Sequence, residues 1–232
     1  MNRRLPEALY DELRRLDDFP RDISLAVLAS LPLSIVSVGR LSIELVNAQL
    51  ARRNIGIECG VENRQLRGCL VAEGDVGFIF IDGLDHEAER RFSVAHETAH
   101  YLVDYLSPRR RAVAHFGDMI QPVLDGLRPP DQEEKVDAFL ARVPLRAHVH
   151  VMERDGQGQP HCESLADDLA YEMLAPRRLV RLQVQGQGRE AVKAASGLLV
   201  AKFGLPPGAA MDYASMLFGR VAPIPIRTLL GF

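Results

Sequence analysis

Apolar positions along the chain change period several times, and the changes divide it into elements. Residues 5 to 17 and 22 to 31 have helical spacing and are punctuated by Pro20 and Pro32. Leu41, Ile43, Leu45, Val46 and Leu50 predict an amphipathic helix over 41–53. The stretches LRGCLVAE (66–73) and GFIFIDG (77–83) are strand-like, and Glu73-Gly74-Asp75 between them predicts a tight turn. A helix is expected over 87–106. From Ser107 to Pro160 the pattern loosens, with three consecutive arginines, Pro129-Pro130, a short possible helix at 131–141 and alternation at 145–152. That stretch reads as an insertion. Helical spacing returns at 163–183, where Pro176 is placed to end or kink the helix. A Gly/Gln linker follows, then helices near 189–203 and 208–218.

Composition narrows the function classes. The chain has 232 residues, 47% apolar and 25% charged, with a net charge of -3, which argues against a broad nucleic-acid or anionic-membrane surface. Cys59, Cys69 and Cys162 lack Cys-x-x-Cys spacing and make no disulfide framework, so a reducing compartment is expected. Acidic residues at 7, 11 and 12 interrupt any signal-peptide core, and the apolar run at 24–38 is broken by Pro32 and too short to span a bilayer. A cytoplasmic location is the expectation.

The candidate chemistry lies in SVAHETAHYLVDY, residues 93–105. Positions four apart on a helix differ by about 40° in azimuth, so His96 and His100 can present two imidazoles to one ion. Glu97 lies about 100° round, too far to ligate easily but within reach of a metal-bound water. Phe92, Ala99, Val103 and Leu106 share or border the histidine face and set it against a core. The competing reading is a packed helix with two histidines at the core edge. A catalytic zinc usually has three protein ligands. Downstream candidates are His115, His148, His150, His161 and Glu163. His148 and His150 would share a strand face, but their surroundings read as an exposed hairpin. Glu163 opens a long helix, with Asp167 one turn on and placed to orient a ligand histidine.

RRFSVAHETAHYLVDY together with ESLADDLAYEMLAP resembles the ImmA/IrrE family of bacterial zinc metallopeptidases. Arg91, Phe92, Ala95, His96, Glu97 and His100 match its first motif, and Glu163, Ala166, Ala170, Leu174 and Pro176 its second. The resemblance extends to the strand pair with Gly68 and to the terminal helices. Asp167 stands where the family usually has Asn, Leu169 replaces Phe, Ala175 replaces Met, and Thr98-Ala99 replaces Leu-Gly. The 62 residues between His100 and Glu163 exceed the usual spacing.

The resemblance implies an α+β fold. It would have a mostly helical, zincin-like core, a small β-sheet packed by the His-Glu-x-x-His helix, and a C-terminal helix pair. The corresponding domain map is an N-terminal helical segment at 1–40 and a metallopeptidase domain at 41–232, interrupted at about 108–160. It further implies one zinc per chain on His96, His100 and Glu163, with Glu97 as general base. The substrate class would be a regulatory protein such as a transcriptional repressor, with no direct nucleic-acid or membrane partner. Tyr101, Tyr105, His115 and Tyr171 are the candidates to stabilise the oxyanion, with no choice among them. Oligomeric state is not legible. The alternative function is a DNA-binding regulator using the terminal helix pair, or a non-catalytic sensor. GAAMDYASMLFG lacks the Arg, Lys, Asn and Gln that most often read bases.

Overall fold

The computed structural model describes residues 6–16, 18–132, 134–135, 143–154 and 163–219; the side chains of residues 163 and 164 are outside the description. The fold is α+β, with helices around a four-stranded mixed sheet. The chain opens with α1 (Glu7–Arg15) and α2 (Ser24–Ser30), whose Leu9, Leu13, Ala26 and Val27 enter the main core. It continues as β1 (Leu33–Val38), so the N-terminal stretch read as helical also supplies a strand.

After α3 (Ile43–Ala51), which Ser42 caps by accepting from the Leu45 amide, come β2 (Leu66–Glu73) and β3 (Val76–Asp82). These two form the expected antiparallel hairpin, and Gly74 at φ 58° supplies the left-handed turn position. β1 runs parallel to β3. The remaining strand, β4 (Ala147–Glu153), pairs antiparallel with β2, giving the order β1-β3-β2-β4. β2 is therefore an internal strand, and 145–152 is not the exposed hairpin expected for it. The alternation was legible, but its partner lies some eighty positions upstream in sequence.

α4 (Glu87–His100) lies on one face of the sheet. Leu70, Ala72, Ile79 and Ile81 meet Phe92, Ala95 and Ala99 there in the main core. α3 covers the other face, where Ile43, Val46 and Leu50 enclose Cys69, Val71 and Phe80. Arg67 of β2 pairs with Glu89 of α4 at 2.6 Å, and Arg154, just after β4, pairs with Asp82 at the end of β3 and with Asp85 beyond it, each at 2.7 Å.

The helix does not stop at residue 106. It passes through a π-helical turn (Tyr101–Leu106) into α5 (Ser107–Phe116), then a short 3₁₀ turn and α6 (Gln121–Leu124). Ala112, Ile120, Val123 and Leu124 form a small separate core there. The possible helix at 131–141 lies largely outside the described residues. α7 (Glu163–Leu174) packs on α4 and ends at Ala175-Pro176, after which α8 (Arg177–Gln183) starts afresh. α9 (Arg189–Ala201) and α10 (Pro207–Phe218) pack on each other and bury Ala195, Leu199, Tyr213 and Ala214 in the main core. No helix among the described residues is long and apolar enough to cross a membrane.

Candidate metal centre

Every residue of α4 from Phe92 to His100 is buried. His96 and His100 retain 2% and 1% of their surface and Glu97 none. Packing of α4 between the sheet and α7 produces that burial.

The two helical histidines face each other, with their Nε2 atoms 3.1 Å apart. Two nitrogens on one tetrahedral zinc, each at about 2.0–2.1 Å, stand about 3.3 Å apart. Both rings have their other nitrogen on a carboxylate. His96 Nδ1 lies 3.0 Å from Asp167 Oδ1 on α7, and His100 Nδ1 lies 2.6 Å from Asp104 Oδ2. A carboxylate at Nδ1 holds the proton there and turns the Nε2 lone pair inward. Two such lone pairs at 3.1 Å repel unless they share an electrophile, so the donor set fits a metal ion. Asp167, whose sequence position suggested that it could orient a ligand histidine, lies against His96. Asp104 was missed, although His100-x-x-x-Asp104 is a spacing readable from sequence. It lies in the π-helical turn that directly follows His100, a distortion often found at functional sites.

β4 brings a third histidine. His150 Nδ1 lies 2.9 Å from Glu97 Oε2, and its ring stacks on that of His100 with centroids 3.5 Å apart. One ligand atom from each of His96, His100 and His150 falls within 4.8 Å of the others. The placement follows from pairing. His150 sits opposite Leu70 in the β2–β4 register, and Leu70 belongs to the face of β2 that meets α4. His148 lies two residues earlier on the same face, and its pKa is lowered by burial above all.

Glu97 is held from below by β2. A Cβ at Gly68 would stand 2.8 Å from Glu97 Oε1, so the carboxylate occupies the space that glycine leaves. Oε1 makes no hydrogen bond among the described residues. Burial pushes the Glu97 carboxyl up, but His150, His96 and His100 outweigh it and hold the group below its ordinary value.

The tyrosines proposed for the oxyanion are engaged in other contacts. Tyr105 donates its hydroxyl to the Gly74 carbonyl at 2.8 Å, and Tyr101 lies against Gly77 of β3. Tyr171 stacks on Tyr213 at 4.5 Å and touches Phe92, which in turn packs on His96. His115 packs edge-on against Phe116. Glu163 begins α7, but its side chain lies outside the described residues, as does His161.

Comparison with known protein families, characterised proteins and solved structures finds no match to this chain.

Proposed function

We propose that the protein is a zinc-dependent peptidase, with one ion per chain on His96 and His100 and with Glu97 as its general base. The observation that carries this reading is the pair of carboxylate-oriented histidines beside a buried glutamate on one helix. A zinc ion there would supply a water acidified towards a pKa of ~7 and would polarise a peptide carbonyl. Glu97 takes the proton of the attacking water and returns it to the departing amine. Asp167 and Asp104 keep the imidazoles in the ligating tautomer. The resemblance to ImmA/IrrE peptidases supports a zincin-like core and a regulatory protein, such as a repressor, as substrate.

Two groups contend for the third ligand position: His150, by its placement, and Glu163, by the resemblance. Metal analysis of His150→Ala and Glu163→Gln separates them. Retention in the first and loss in the second assigns Glu163 and makes His150 the orienting partner of Glu97. The reverse assigns a three-histidine set. If both residues prove to be ligands, four protein groups fill the shell, no position is left for water, and the hydrolytic reading fails.

A second reading, a metal-holding sensor without catalysis, draws on the absence of exposed surface at Glu97. Zinc-loaded full-length protein incubated with a proteome-derived peptide library tests it. New peptide termini produced by wild type and absent with Glu97→Gln support the peptidase; none with wild type refutes it. A DNA-reading role for α9 and α10 has less support, because Tyr213, Ala214, Leu217 and Phe218 are buried in the core.

A further inference from the structure

Cys59 and Cys69 are far from a Cys-x-x-Cys spacing, yet their Sγ atoms lie 3.9 Å apart. Cys69 is fully buried on the α3 face of β2, locked between Phe80 of β3 and Val151 of β4. Cys59 is partly exposed in the connection between α3 and β2. Asn47 of α3 holds it there: Asn47 Oδ1 accepts from the Cys59 amide at 2.9 Å, and Asn47 Nδ2 donates to the Gly60 carbonyl at 3.1 Å. Cys59 is thus a partly exposed residue and Cys69 a sheltered one, and their surroundings set the two sulfurs side by side. A disulfide needs its sulfurs about 2.05 Å apart, so closure requires a movement of about 2 Å. The movement falls to Cys59, which lies outside helix and strand, because Cys69 is fixed in the sheet.

We propose that Cys59 and Cys69 form a peroxide-reactive dithiol that closes to a disulfide and is reopened by exchange with a small-molecule dithiol, with Cys59 attacking and Cys69 resolving. The Cys59 thiolate attacks one oxygen of hydrogen peroxide. The O–O bond breaks, an S–O bond forms, and the departing hydroxide takes up a proton as water. Cys69 sulfur then attacks the Cys59 sulfenic sulfur, forming S–S and breaking S–O, and its thiol proton leaves with the hydroxide as a second water. Two thiols are oxidised by two electrons, and the peroxide is reduced. The order of attack follows from access. The Cys69 thiol also points at the Cys59 sulfur, which lowers the Cys59 pKa against the opposing effect of burial.

Treatment of the full-length protein with a small excess of hydrogen peroxide tests this, followed by thiol blocking, digestion and mass spectrometry. The expected product is a Cys59–Cys69 cross-linked peptide lighter by two hydrogen atoms and restored by dithiothreitol. In Cys69→Ala, dimedone should trap a sulfenic acid at Cys59; in Cys59→Ser, Cys69 should stay reduced. Wild-type protein that oxidises Cys59 to sulfinic acid with Cys69 still reduced overturns the proposal. So does a cross-link from Cys59 to Cys162, or no reaction at either sulfur.

Discussion

Gly68→Ala tests the packing that holds the proposed base. The added methyl would stand 2.8 Å from Glu97 Oε1, 3.2 Å from Cγ and 3.4 Å from Cδ. Glu97 cannot simply swing aside, because it has no exposed surface and its other oxygen is bonded to His150. Overpacking of this kind costs about 1–3 kcal/mol. Gly68 does not adopt a left-handed φ, so alanine recovers about 0.4–1 kcal/mol by restricting the unfolded chain. The net loss is about 0–2.6 kcal/mol, which for a chain of this size lowers Tm by about 0–10 °C. In a Glu97→Ala background the clash disappears, so the same substitution should cost nothing or stabilise. Thermal unfolding of the four proteins of this cycle measures the coupling directly. Metal content should be unchanged in Gly68→Ala, since the three atoms nearest the methyl position all belong to Glu97. A raised Tm in Gly68→Ala alone, or the same effect in both backgrounds, would refute the claim that Glu97 is wedged against β2.

Asp104→Asn and Asp167→Asn should each weaken zinc binding by about 10–100-fold, measured by titration against a competing chelator. Affinity unchanged in both would reduce these carboxylates to bystanders. Replacing residues 108–160 with a short Gly/Ser linker removes β4 together with the small core of Ala112, Ile120, Val123 and Leu124. The edge of β2 would then be unpaired, and the expected outcome is a lower Tm with self-association seen by light scattering. A monomeric, equally stable product would show that the stretch is peripheral after all.

The features legible in the sequence are those set by local geometry. His96 and His100 share a face because four residues make about one helical turn, and no tertiary contact is needed to know it. The β2–β3 hairpin follows from two short apolar runs around Glu73-Gly74-Asp75, and Pro176 ends α7 because it lacks an amide proton and clashes with the preceding turn. Asp104 was within reach of the same argument. Its spacing from His100 equals that between the histidines, but it lay outside the motif and was passed over. Strand β1 was also legible, since LSIVSV is a short run rich in β-branched residues between Pro32 and Gly39.

Other features depended on which segments meet. The sequence of β4 states that His148 and His150 point the same way; it does not state that their face lies against α4. That depends on pairing with β2, closed over a long loop and stabilised only once both strands and the helix are assembled. The same assembly brings Cys59 to Cys69 through Asn47, and seals Glu97 between Gly68 and His150. Periodicity fixes a residue's direction within its own element, because that is a matter of backbone angles. Which neighbour fills that direction is settled by packing among distant segments, and that is where this site acquired its third histidine.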